Sequence, residues 1–180
     1  MDKSEVRKKY LQVRQNIKDR DSKNQAIFDR LLGLKVIDSH KKILCYANMG
    51  GEVSTQGVFE YCLKNNIKIW QPIILPNGQM SGQRVNTIKD VKYHSPTNIS
   101  TAKAIAQKFD VLIVPLVATD NSKNRLGRGG GYYDKFLANY QKPSFATIGL
   151  AFDEQVLSEP IPIEPHDRSL NIIITPTRTI

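Results

Sequence analysis

Runs of β-branched and aliphatic residues, each bounded by turn-forming residues, punctuate the chain at Lys42–Ala47, Ile67–Ile74, Val111–Leu116, Ala146–Phe152 and Asn171–Thr175. Runs of this length and composition predict strands. Most are apolar throughout, the pattern of strands covered on both faces of a sheet. Between them apolar residues recur at helical spacing over about 2–18, 23–33, 54–65 and 130–140. Strands alternating with helices predict an α/β fold: a single three-layer α/β/α domain spanning residues 1–180 around a central, mostly parallel sheet. The stretch Pro76–Thr101 departs from the alternation, and its Asn77-Gly78 and Ser81-Gly82 turn signals predict a hairpin followed by a loop, with no domain boundary.

Composition fits this picture. A chain of 180 residues with an apolar fraction of 40% and a charged fraction of 24% can bury a core without disulfides or a structural metal. It has no run of about 18 apolar residues that would span a bilayer, which excludes a membrane-spanning class and predicts a soluble protein. The start, MDKSEVRKKYLQVRQ, is charged where a secretory signal needs an apolar core, so a cytoplasmic location is expected. Cys45 and Cys62 have neither CxxC nor zinc-ligand spacing and read as buried thiols. The 26 basic residues against 17 acidic ones give a net charge of +9, which favours anionic partners. The basic residues are dispersed and match no nucleic-acid motif, which points to a phosphate- or carboxylate-bearing small ligand.

The first helix sorts its charges. At 100° per residue, Tyr10, Val13 and Ile17 fall within about 40° of Val6 and form an apolar stripe. Lys3, Arg7 and Arg14 form a row about 60° to 100° to one side of it. Such a row is either a solvated basic face or a set of side chains whose stems lie on the protein and whose heads reach a neighbouring cleft.

Chemistry concentrates in Arg125–Asp134, RLGRGGGYYD. Gly127, Gly129, Gly130 and Gly131 remove side chains where an anion must approach backbone N–H groups, and they permit positive φ. The loop follows a strand and precedes the helical pattern Tyr132–Tyr140, so free N–H groups at a helix start are expected to face the anion. Arg125 and Arg128 add guanidinium forks suited to phosphate oxygens. A carboxylate at Asp134, amid phosphate ligands, makes sense as a Mg²⁺ ligand. The spacing is neither GxxxxGK[ST] nor GxGxxG, so the P-loop and the Rossmann fingerprint are both excluded. The alternative is a glycine-rich turn with Tyr132 and Tyr133 in the core.

Two further positions are candidates on location alone. Glu52 follows the first strand at the carboxyl edge of the sheet, where open α/β folds bind ligands; alternatively it is solvated and Ser54 caps the next helix. His166-Asp167 follows a proline-punctuated loop, Pro160–Pro165, and reads as either a turn or a site. His40 and His94 read as surface residues.

The segment RLGRGGGYYDKFL, Arg125–Leu137, resembles the 5-formyltetrahydrofolate cyclo-ligase (methenyltetrahydrofolate synthetase) family. Lys3 and Arg7, Glu52–Thr55 (EVST), Asp110–Pro115 (DVLIVP), Ile148–Asp153 (IGLAFD) and His166-Asp167 follow in the family's order across nearly the whole chain. The resemblance implies an ATP- and Mg²⁺-dependent conversion of 5-formyltetrahydrofolate, with or without a polyglutamate tail, to 5,10-methenyltetrahydrofolate. A monomer that binds neither nucleic acid nor membrane is expected. It also implies that Lys3, Arg7, Arg125, Leu126, Gly127, Arg128, Gly129, Gly130, Gly131, Tyr132 and Tyr133 bind ATP, with Arg125 and Arg128 acting on the transferring phosphoryl group. By the same resemblance Asp134 and Asp167 hold Mg²⁺, Glu52 recognises the pterin, and Arg128 to Tyr132 border the folate.

The chain departs from the family pattern at Val91–Pro96 (VKYHSP), where Tyr93 is the aromatic available to wall the folate, at Asn171, and at Thr175-Pro176. The rival expectations are another α/β enzyme acting on a sugar phosphate or a CoA thioester, and a basic RNA-binding protein without catalysis.

Overall fold

The computed structural model describes residues 2–93, 108–138 and 146–180. Helix α1, Lys3–Gln15, starts at a capping box: the Asp2 carboxylate accepts from the Glu5 N–H at 2.8 Å, and the Glu5 carboxylate accepts from the Asp2 N–H at 2.9 Å. Helix α2 is Arg20–Gly33, and α3 is Gln56–Lys64. Thr55 rather than Ser54 takes the N-cap position of α3, and its hydroxyl donates to the Tyr46 carbonyl at 2.7 Å instead of capping. Helix α4, Tyr132–Ala138, begins two residues later than its pattern predicts, because Gly131 holds φ +65°, outside the right-handed helical region. The predicted end of that helix, at 139–140, lies outside the described residues.

Six strands form the main sheet in the order β3-β2-β1-β4-β7-β9: β1 Lys42–Cys45, β2 Lys68–Ile74, β3 Met80–Val85, β4 Val111–Val114, β7 Ala146–Leu150 and β9 Ile172–Ile174. All neighbours run parallel except β2 and β3, a hairpin that pairs Ile74 with Met80 around the predicted turn Asn77-Gly78; Ser81-Gly82, the other expected turn, lies inside β3 and pairs with Ile73 and Pro72. The rest of the predicted loop to Thr101, including His94, falls outside the described residues beyond Tyr93. Asn171 ties β7 to β9: its Oδ1 accepts from both the N–H and the hydroxyl of Thr147 at 2.8 Å.

Residues alternate between the two faces of this sheet. Ile43, Cys45, Val111 and Ile113 pack with Ile27 and Leu31 of α2 and Val58, Phe59 and Cys62 of α3, whereas Leu44, Leu112 and Val114 pack with Leu137 of α4. The result is the expected three-layer α/β/α arrangement.

The sequence pattern gave no sign of a second sheet, order β6-β5-β8, built from β5 Ala118–Asp120, β6 Arg125–Leu126 and β8 Val156–Leu157. Arg125 and Leu126, expected in the glycine loop, are therefore strand residues, with Leu126 facing Ala118. Val6 of α1 buries itself against Ala118, Leu126, Leu157 and Ile161, with Tyr10 beside it. The apolar stripe of α1 thus rests chiefly on this small sheet, and only Ile17 beyond its end joins the main core.

Candidate functional site

In the main sheet the chain runs from β1 outward to β2 and then returns to place β4 on the other side of β1. This reversal opens a crevice at the carboxyl ends of the strands, the place where open α/β sheets bind ligands. A cavity of about 410 Å³ occupies it. Its wall includes Tyr46, Met49 and Glu52 after β1, Pro115 and Leu116 after β4, Arg125–Asp134, Lys3 and Arg7 of α1, and Glu164, His166 and Asp167. Among the described residues, every position singled out from the sequence as a ligand or metal contact, except Tyr93, lies on this one wall.

Glu52 is buried, with 7% of its surface exposed, which excludes the solvated alternative. Its Oε2 accepts from the Met49 N–H at 2.8 Å and its Oε1 from Arg128 Nε at 3.1 Å. Arg128 also donates to the Met49 carbonyl at 3.2 Å. From the interior, Arg14 Nη1 stands 3.8 Å from Oε1 of Glu52. Arg14 is 2% exposed, and burial pulls its pKa below the usual arginine value despite the opposing pull of Glu52.

The basic row of α1 is therefore no solvated face. Arg7 Nε donates to the Gly127 carbonyl at 2.9 Å, which fixes the helix to the glycine loop. Lys3 Nζ lies 2.5 Å from both Glu164 and Asp167. Burial lowers the Lys3 pKa, but the hydrogen bonds to Asp167 and Glu164 outweigh it and hold the ammonium above its ordinary value. Burial likewise pushes Asp167 up, and the Lys3 and Glu164 hydrogen bonds more than reverse it, so its carboxyl lies below the usual range.

Arg125 and Asp134 bracket the glycine loop. Arg125 is buried beside the ring of Tyr133, 5.7 Å from the ring centroid, and donates to Asp134 Oδ1 at 2.6 Å and to the Pro115 carbonyl at 3.4 Å. Burial also pushes the Tyr133 phenol well above its ordinary range, which removes it as an acid at neutral pH. Tyr132 is 43% exposed, whereas Tyr133 is half-buried and packs on the core around Leu44 and Leu112; both line the cavity. Gly129 at φ +105° and Gly131 at φ +65° adopt conformations that side chains disfavour.

The wall also contains residues that the sequence did not single out. Gln71, Pro72 and Ile74 of β2, Met80 of β3 and Lys92 form its side toward the hairpin, and Asn77-Gly78 was the available signal for that hairpin. Tyr93, the aromatic expected there, turns instead to the core, edge-on to Phe59 with ring centroids 6.5 Å apart; burial pushes its phenol up to about 12. Glu164 was hidden in a proline-punctuated loop. Its oxygen, a nitrogen of His166 and an oxygen of Asp167 lie within 4.8 Å of one another, a grouping that does not include Asp134.

The chain is similar to known proteins along nearly its whole length. Over 99% of its length the chain is 28% identical to a 5-formyltetrahydrofolate cyclo-ligase of Mycolicibacterium smegmatis, covering 95% of that protein. It is 27% identical to the Haemophilus influenzae cyclo-ligase, covering 92% of each chain. Among solved structures, a 5,10-methenyltetrahydrofolate synthetase from Mycoplasma pneumoniae superposes with a TM-score of 0.76 at 25% identity, over 98% of this chain and 99% of that one. The corresponding Aquifex aeolicus structure gives 0.73 at 27% identity, over 99% and 92%. The family model of the 5-formyltetrahydrofolate cyclo-ligases matches residues 1–176, and with that the fold, the glycine–arginine loop and the crevice find a common explanation: the chain is an enzyme, a ligase belonging to the 5-formyltetrahydrofolate cyclo-ligase family.

Proposed function

We propose that the enzyme converts 5-formyltetrahydrofolate and ATP to 5,10-methenyltetrahydrofolate, ADP and phosphate. The observation that carries this is the meeting, in one cavity, of the buried Glu52 carboxylate with Lys3, Arg7 and the Arg125–Asp134 loop. A formamide oxygen is a poor leaving group, so ring closure needs it activated. The formyl oxygen takes the γ-phosphoryl group as ADP leaves. N10 then attacks the formyl carbon and loses its proton, the carbon–oxygen bond breaks, and phosphate departs. Such chemistry relies on alignment and charge neutralisation more than on a protein nucleophile.

Several groups on the wall take part in that sequence. Glu52 accepts from the amino and amide N–H groups of the pterin, which take the place of Arg128 at Oε1. Arg125, held by Asp134 and the Pro115 carbonyl, is a fixed cation for phosphate oxygens. Arg128, with its side chain 46% exposed, reaches the same oxygens from the cavity side. Lys3 and Arg7 bind the remainder of the triphosphate, and the backbone from Leu126 to Tyr133 lies along it. The glycines from Gly129 to Gly131, with Arg128 and Tyr132, also border the folate.

Asp134 and Asp167 would hold Mg²⁺. Both are part-buried oxygen donors on the cavity wall, a donor type that suits this ion. When bound, the ion neutralises phosphate charge. The test is absorbance of the methenyl product on mixing enzyme, ATP, Mg²⁺ and 5-formyltetrahydrofolate. Product should form in proportion to enzyme, and no product under these conditions would refute the proposal.

A further inference from the structure

We infer that Arg14 is a positioning residue, one that never touches the ligand but fixes the Glu52 carboxylate for it; this rests on the proposed role of Glu52 in recognising the substrate's ring. Arg14 is absent from the cavity wall, whereas Glu52 and Arg128 are on it. The Glu52 carboxylate is thus approached by one guanidinium from the cavity side and by another from the interior. Only the interior one keeps its place when a ligand takes over the cavity face of Glu52.

The geometry suits that task. Arg14 Nη2 donates to the Gly50 carbonyl at 3.0 Å, and Nη1 donates to the Leu116 carbonyl at 3.3 Å while facing Glu52 Oε1 at 3.8 Å. One guanidinium therefore binds the loop after β1, the loop after β4 and the carboxylate between them. Arg20 completes the support from α2. It donates to the carbonyls of Gly51 and Glu52, the latter at 3.2 Å, and to the carbonyl of Arg14 itself at 2.9 Å. Arg20 holds the backbone that carries Glu52, and Arg14 holds its charge.

Tying the two loops needs donors at this position; a permanent cation adds something only where a charge faces it, and that charge is Glu52. The Nε of Arg14 is buried without a hydrogen-bond partner, so as a packing element the residue is poorly satisfied. A methionine or leucine could fill the same volume, but it would leave the Gly50 and Leu116 carbonyls without a donor and the buried Glu52 carboxylate without its interior counter-charge. What an apolar residue cannot supply is a fixed counter-charge behind a carboxylate that must stay aligned in a dry site.

The test compares Arg14→Lys, which keeps the cation, with Arg14→Gln, which keeps donors without charge. Binding of 5-formyltetrahydrofolate and of ATP is measured separately by calorimetry, together with KM and kcat for each. For Arg14→Gln the folate Kd and KM should rise about tenfold or more, while those for ATP change less than about twofold. Arg14→Lys should recover most of the folate affinity. Wild-type enzyme that fails to bind 5-formyltetrahydrofolate would refute the proposed function itself. Wild-type binding with equal loss for Gln and Lys, no loss for Gln, or parallel loss for folate and ATP would overturn the positioning role. Should Arg14→Gln not fold, Arg14→Lys decides alone: retained affinity for both ligands supports the role, and a tenfold folate loss in a folded protein overturns it.

Discussion

Arg125 Nη2 and Asp134 Oδ1 meet at 2.6 Å, so the two ends of the glycine loop are joined by an ion pair whose cation is almost wholly buried. Asp134 thereby has two tasks, holding Arg125 and, in the proposed mechanism, Mg²⁺. Asp134→Asn keeps an acceptor oxygen for Arg125 but removes the charge. The variant should fold, turn over at least about a hundredfold more slowly, and need more Mg²⁺ for half-maximal rate. A Mg²⁺ titration of the steady-state rate checks this, and an unchanged Mg²⁺ dependence would remove Asp134 as a ligand.

The pairing of Lys3 with Asp167 predicts a pH-dependent contribution to stability. The Lys3 pKa is raised in the folded protein, so its contribution is full below the unfolded lysine value and is lost as pH climbs through the folded one. The Asp167 pKa is lowered, so its contribution is present above the unfolded aspartate value and fades as pH falls through the folded one. Lys3→Met should therefore lower Tm between pH about 5 and 9, with the deficit closing in strong acid and strong base. Thermal melts across that range provide the measurement; a deficit independent of pH would mean that packing, not charge, is lost.

Asp120 anchors the segment that carries Glu164 and Asp167. This buried carboxylate accepts from the N–H groups of Ser122 at 2.9 Å and Asn124 at 3.0 Å, from Asn124 Nδ2 at 2.9 Å, and from the Ile161 N–H at 2.9 Å. Asp120→Ala leaves several buried donors without partners and should cost about 2–4 kcal/mol in urea unfolding. In the folded variant the ATP KM should rise more than the folate KM, since Ile161 leads into the Lys3-bound loop.

Gly131 separates backbone shape from space. No atom lies within 4 Å of a Cβ built there, yet φ is +65°. Gly131→Ala should cost about 1 kcal/mol and Gly131→Asn less, because asparagine tolerates this conformation. The ATP KM should follow the same order. Equal effects of the two substitutions would point to steric exclusion by the bound ligand instead.

Cys45 and Cys62 are buried, and burial holds both thiols up, Cys62 to about 12. Neither should react with a thiol-specific chromogenic disulfide at pH 7 in the folded enzyme, while both should react in denaturant.

The main sheet was legible in the sequence because most of its parallel strands are apolar runs, β2 with its Gln71-Pro72 being the exception, and its hairpin announced itself through Asn77-Gly78. The second sheet was not, because strands as short as Arg125–Leu126 and Val156–Leu157 are too brief for any periodicity to register. The composition of the glycine loop reads as an anion site, but only resemblance to a family attached a substrate to it. The wheel placed Arg14 beside the apolar stripe without telling which neighbour it would meet. Its buried position follows from the loops after β1 and β4, whose carbonyls come from residues 36 and 102 positions away. Glu164 and the Arg125–Asp134 pair were invisible for the same reason, since both depend on contacts that sequence spacing does not encode.

The small sheet matters for motion as well as for placement. Its three strands and the face of α1 share a cluster of five buried residues, whereas Glu52 stands at the edge of the far larger core beneath β1. Segments with few buried apolar contacts open at lower free energy than the global unfolding step. Amide exchange should therefore be faster in α1 and in Ala118–Leu126 than in β1 and β4. A nucleotide that bridges Lys3, Arg7 and Arg125 would slow exchange there first, leaving the segment around Glu52, which borders the larger core, nearly unchanged.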